Sequence, residues 1–153
     1  MNELDIEIIR DDATYLVREL QNIDKDKAIK SGLRAGGMVL KKGGMNRLRE
    51  RMSKPSGITG NLLRSFTVRT KRNSLGVLIG FSQEEGWDGW YSHIVDLGSA
   101  SRSYTNKNGV THYTGAAKAM KFWTDTKNED MPQAQGMIIK GIERYVERVN
   151  NKL

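Results

Sequence analysis

The side chains able to do chemistry are few. The only histidines are His93 and His112, and Asp96 follows the first by three positions, a spacing that can put His93 and Asp96 on one helix face. Two such groups do not complete a zinc or iron site, and no His-Glu-x-x-His or comparable spacing is present, so structural histidines are the preferred reading. There is no cysteine, which removes disulfides, thiolate metal sites and cysteine nucleophiles together. No serine sits in a Gly-x-Ser-x-Gly elbow, and the glycine-rich stretches lack the Gly-Lys-Ser/Thr ending of a phosphate loop. Glu84 and Glu85 are adjacent in a loop-like stretch and would point apart. The expectation is a protein without catalytic, cofactor-binding or metal-binding residues.

Charge is more informative than any motif of this kind. The net charge is +7, from 25 Lys and Arg against 18 Asp and Glu. Residues 41–72 hold Lys41, Lys42, Arg47, Arg49, Arg51, Lys54, Arg64, Arg69, Lys71 and Arg72 against one acid, Glu50. Residues 73–101 invert this, with Glu84, Glu85, Asp88 and Asp96 and no Lys or Arg. A basic segment attracts phosphate without regard to sequence. Trp87, Trp90 and Tyr91, which could stack on bases, lie in the acidic part instead. Sequence-specific nucleic-acid binding is therefore disfavoured, and a sequence-independent nucleic-acid-binding protein stands as the alternative function.

At 153 residues the chain has the size of one domain, and its 37% apolar content falls below the globular average of roughly 45–50%. That shortfall suits a subunit whose surface is covered on assembly. No apolar run approaches the roughly 20 residues needed to cross a bilayer, and the N-terminus lacks a signal-peptide layout, so a soluble intracellular protein is expected.

The elements follow from periodicity. Leu4, Ile6 and Ile8 alternate with acids, predicting a strand over about residues 3–9. Asp11 and Asp12 then open a short helix with Leu16, Val17 and Leu20 as its stripe. Asp24 is a candidate N-cap for a long helix carrying Ile29, Leu33, Gly36, Leu40, Gly44, Leu48 and Met52 at spacings of three and four. Gly32, Gly36, Gly37, Gly43 and Gly44 each cost roughly 1 kcal/mol in a helix interior. Two readings stay open: a break near Gly43-Gly44, or a continuous helix whose glycine face admits another backbone. Met38, Met45 and Met52, seven apart, mark either core or a subunit seam, core being preferred. Pro55 and Gly57 close the element.

Residues 66–70 and 75–81 predict a hairpin, residues 82–90 a loop, and residues 90–97 a short helix ended by Gly98. In residues 99–117, Asn108-Gly109 lies between β-formers and predicts a projecting β-finger. Residues 120–124 predict a last strand. Pro132 starts a final helix with Ile138, Ile142, Tyr145, Val149 and Leu153 on its apolar face. The fold class is α+β: a small antiparallel sheet packed with a long helix and a C-terminal helix, with a projecting loop or β-finger.

In that context Thr59-Gly60-Asn61-Leu62-Leu63-Arg64-Ser65-Phe66 resembles one family, the tail-component or neck (head-tail joining, tail completion) proteins of long-tailed bacteriophages. Tyr91-Ser92-His93-Ile94-Val95-Asp96-Leu97-Gly98-Ser99 is similar to that family's Tyr…Val-Glu-hydrophobic-Gly-Thr segment, with Asp96 and Ser99 as conservative departures. The likeness runs over nearly the whole chain as an ordered set of short motifs, and is faintest at Lys121-Phe122-Trp123-Thr124. Independently of it, Thr59 and Gly60 suit a turn, Leu62 and Phe66 suit core anchors, and Ser65 suits backbone bonding where a strand begins. The resemblance implies a homo-oligomeric ring of about six or twelve copies in the virion, stacked between other connector and tail proteins around the DNA passage. On that reading Lys41, Lys42, Arg47, Arg51, Arg64, Arg69, Lys71 and Arg72 face either DNA in the lumen or Glu84, Glu85 and Asp88 of a neighbour.

Overall fold

The computed structural model describes residues 4–7, 22–52, 60–84, 87 and 89–152. The expected first short helix, Lys54, Pro55, Gly57, Thr59, Glu85, Asp88 and Leu153 lie outside the described residues.

The architecture is α+β. Strand β1 (Leu4–Glu7), β2 (Phe66–Thr70) and β3 (Gly76–Phe81) form an antiparallel sheet in the order β1-β3-β2. The β2–β3 hairpin, which the sequence predicts, pairs Phe66 with Phe81 and Thr70 with Val77. Strand β1 adds to the other side of β3, with Leu4 opposite Ile79 and Ile6 opposite Val77.

Helix α1 (Asn22–Arg51) runs unbroken through Gly43-Gly44, so the continuous-helix reading holds. It is already running at Asn22, which places Asp24 inside the first turn instead of at the N-cap. Packing on two sides sustains so long a helix against its glycines, since tertiary burial outweighs propensity. Leu33, Leu40 and Leu48 are fully buried, and Gly37 lies against Val68 and Ile79 of the sheet.

The opposing partner is α5 (Met131–Asn150), with Pro132 in its first turn. A Cβ added at Gly32 would stand 2.5 Å from the Ile138 carbonyl oxygen, and one at Gly36 would stand 2.8 Å from that of Ala134. One at Gly141 would stand 2.8 Å from the Gly32 Cα. The helices are antiparallel, because higher positions on α1 meet lower positions on α5. The glycine face therefore serves a seam within the chain, not one between subunits.

Helix α2 (Asn61–Ser65) leads directly into β2. Gly60 precedes it at φ 74°, a left-handed conformation that favours glycine. Leu62 and Phe66 are buried, and the Ser65 hydroxyl donates to the Leu62 carbonyl at 2.7 Å, so the expected roles hold for the described part of the motif. The Phe66 ring meets Phe81 at 4.1 Å between centroids and Trp123 edge-on at 5.4 Å.

A 3-10 turn (Gly89–Tyr91) runs into α3 (Ser92–Leu97), which Gly98 ends. Strands β4 (Ser103–Thr105) and β5 (Thr111–Tyr113) form the predicted finger. The expectation of a strand over residues 120–124 is wrong. From Phe122 that stretch is helical, as α4 (Phe122–Glu129), with Phe122 and Trp123 fully buried.

Candidate interaction surfaces

Asp96 is fully buried, and its role is structural. One carboxylate oxygen accepts from the backbone N–H of Trp123 at 2.7 Å and of Thr124 at 3.1 Å, and the other from the Thr124 hydroxyl at 2.6 Å. These are the orphan donors of the first turn of α4, so Asp96 caps that helix from 27 residues upstream. The ends are further tied where the Met120 and Lys121 N–H groups donate to the Val95 and Asp96 carbonyls. Lys121, at the N-cap position, takes φ 51° and supplies no side-chain cap. His93 is exposed, so His93 and Asp96 do not converge on a shared ligand.

The basic segment is not a single contact surface. Arg47, its side chain 17% exposed, donates to Asp130 at 2.6 and 2.9 Å, to Glu129 at 2.8 Å and to the Thr126 hydroxyl at 3.1 Å. Its hydrogen bonds to Asp130 raise its already high pKa, with burial opposing and Glu129 adding to the rise. Arg51 donates to Asp125 and to the Met120 carbonyl, at 2.6 and 2.7 Å. Two basic residues expected on an interface thus clamp α1 to α4 and to the start of α5. Lys71 pairs with Asp5 at 2.6 Å, tying the β2–β3 turn to β1. Arg69 is exposed on β2. Lys42, Arg64 and Arg72 are exposed and Lys41 is half-buried, and these four form no ion pair among the described residues.

Three features face outward. The first is the finger. Its root is fixed at Gly98, whose φ of 76° turns the chain and whose missing side chain leaves room for the Ala117 carbonyl. Ser99 pairs with Ala117 through the Ser99 N–H at 3.0 Å, while the Ala117 N–H reaches the Ser99 hydroxyl at 3.2 Å. At the tip, the Asn106 side-chain oxygen accepts from the N–H groups of Asn108 and Val110, both at 3.0 Å. Tyr104 stacks on His112 across one face at 5.1 Å, and Tyr113, 80% exposed, lies on the other. The backbone is well satisfied, yet the hairpin covers no core.

The second feature is a ridge running from the 3-10 turn through α3, with Glu84 exposed ahead of it. Trp90 and Leu97, 59% and 64% exposed, lie two turns apart on one face, with His93 between them. Trp87 is exposed nearby in sequence. Tyr91 and Val95 of the same segment turn inward and pack on the core.

The third is a groove of about 550 Å³ on the side of α1 away from the sheet, floored by Met38, Val39, Met45 and Met137. Lys41, Lys42 and Arg49 line it. Met38, at 48% exposure, belongs to this surface and not to the core, whereas Met45 and Met52 pack partly on the core. Periodicity showed the methionines but not which side of the helix would be covered. No helix among the described residues is long and apolar enough to cross a membrane. Comparisons with family models, with curated proteins and with solved structures give no match.

Proposed function

We propose that this chain is a non-enzymatic structural subunit of the head-tail connection of a tailed bacteriophage. It assembles in the host cytoplasm into a homo-oligomeric ring around the DNA passage of the virion. The observation that carries this reading is the finger: a hairpin hydrogen-bonded from root to tip, exposed on both faces and presenting Tyr104, Val110 and Tyr113. Two strands alone are marginally stable in water, so a well-formed hairpin with bare aromatics suits a covering partner. Further support comes from the described elements, in which a long helix, a helix-to-strand joint leading into a hairpin and a C-terminal helix follow in the order that the resemblance implies, and from the chemistry-bearing residues Asp96, Arg47 and Arg51, all engaged in holding helices together.

Native mass spectrometry and negative-stain electron microscopy of the purified chain, alone and mixed with portal, connector and tail-tube proteins, test the reading. Closed rings, or specific docking to one of those proteins, are expected. A monomer that docks to none of them and binds duplex DNA with a steep salt dependence would replace it with the nucleic-acid-binding alternative.

A further inference from the structure

We infer that the ridge of one copy, carrying Trp90 and Leu97, docks into the methionine groove of the next, making the contact that propagates the ring. The inference rests on the ring reading and specifies the two surfaces that reading needs. A ring is built from heterologous contacts, in which a surface meets a different surface on its neighbour. The ridge exposes an aromatic and an aliphatic side chain, and lies within the stretch of residues 73–101 that has acids but no Lys or Arg. The groove is concave and apolar at its floor, with cations on its walls.

Polarity and charge therefore match in the same pairing. Methionine side chains adapt readily to a large aromatic, and tryptophan filling an apolar pocket is a common anchor of protein contacts. The stems of Lys41, Lys42 and Arg49 can cover the ridge's apolar sides while their charges meet Glu84. Lys41 and Lys42 have no competing ion pair among the described residues. Arg47, close by, is already held by Asp130 and does not take part.

The absence of cysteine allows a clean cross-linking test. Asn46→Cys sits in the groove wall and His93→Cys between Trp90 and Leu97, and both side chains are exposed, so neither variant removes packing or the charges invoked. An equimolar mixture of the two variants, treated with a short bismaleimide, is expected to give a covalent dimer that neither variant gives alone. The double variant is expected to give a ladder of higher multimers. Lys42→Glu should lower the cross-link yield at least tenfold, and Glu84→Lys in the same chain should restore part of it.

Rings without the mixed cross-link would overturn this contact and leave the ring reading standing. Cross-linked chains that never close would keep the contact and sink the ring. A monomer with no cross-link would overturn both, and loss of the cross-link on adding an acidic connector protein would reassign the groove to that partner.

Discussion

Replacing Gly32 and Gly136 separately with alanine turns the antiparallel seam into a measurable sign. Both glycines lie inside helices, so the intrinsic gain from alanine is the same, about 1 kcal/mol in each. Their surroundings differ. A Cβ at position 136 meets nothing within 4 Å, whereas one at position 32 falls 2.5 Å from the Ile138 carbonyl oxygen and 2.6 Å from the Ile142 Cγ1. The isoleucine side chain can rotate, but the carbonyl belongs to the α5 backbone and moves only if that helix moves. Overpacking costs typically about 1–3 kcal/mol, and a backbone obstacle argues for the upper half of that range, about 2–3. Gly32→Ala should then lose about 1–2 kcal/mol net while Gly136→Ala gains about 1. With a urea slope of about 2 kcal/mol per M for a chain of this size, the two midpoints should separate by about 1–1.5 M. Urea titration followed by far-ultraviolet circular dichroism reads this directly. If Gly32→Ala raises the midpoint as Gly136→Ala does, the two backbones do not approach closely and the account of the glycine face is wrong.

The other predictions concern the clamp, the remote cap and the finger. Arg47→Met keeps the stem but leaves Asp130, its side chain 17% exposed, without its guanidinium, and should cost about 2–4 kcal/mol in urea. Arg47→Lys should recover little, because an ammonium cannot reproduce the paired bonds to Asp130 and Glu129. Because the Arg47 pKa is raised, its contribution is complete below the unfolded-state pKa and fades only above the folded one. The penalty of Arg47→Met should therefore be unchanged between pH 7 and pH 9. Asp96→Ala strips the cap from α4 and leaves the buried Trp123 N–H and the half-buried Thr124 N–H unpaired, a loss of about 2–4 kcal/mol, while Asp96→Asn retains an acceptor and should lose less. Tyr113→Ser on the exposed finger should change stability by no more than about 0.5 kcal/mol yet weaken docking to portal, connector or tail-tube proteins in native mass spectrometry, and undiminished docking would count against the finger as a contact.

What the chain revealed in advance depended on whether the deciding partner was local. The β2–β3 hairpin, the finger and the stop at Gly98 all have their causes within a few residues, and each was legible. The long helix was legible from its apolar spacing, but its continuity through Gly43-Gly44 was not, because propensity counts the cost of glycine while the compensation comes from Phe66, Trp123 and α5. Helix α4 was misread as a strand for a related reason. Its first turn offers Lys121 at a left-handed φ and no local cap, and the residue that caps it is Asp96. Arg47 and Arg51 were expected to face DNA or a neighbouring subunit, since Asp125, Glu129 and Asp130, which in fact hold them, lie more than 70 positions away.

These displaced partners also decide where interactions with other molecules can occur. Once Arg47 and Arg51 are engaged with α4 and the start of α5, the positive charge of residues 41–72 divides between the groove, at Lys41, Lys42 and Arg49, and the neighbourhood of the β2–β3 hairpin, at Arg64 and Arg72. Once Asp96 is buried under α4, Glu84 is the exposed acid that the described residues keep in the sequence just ahead of the ridge. Groove and ridge are thus each of one sign, non-identical, and carried by elements locked to the same core, the condition for a contact that repeats from copy to copy without being shared symmetrically. The finger belongs to neither surface: its root hangs on Gly98 and Ala117, and its aromatics point away from the core. On the proposed reading, one pair of surfaces closes the ring and the third reaches an adjoining ring.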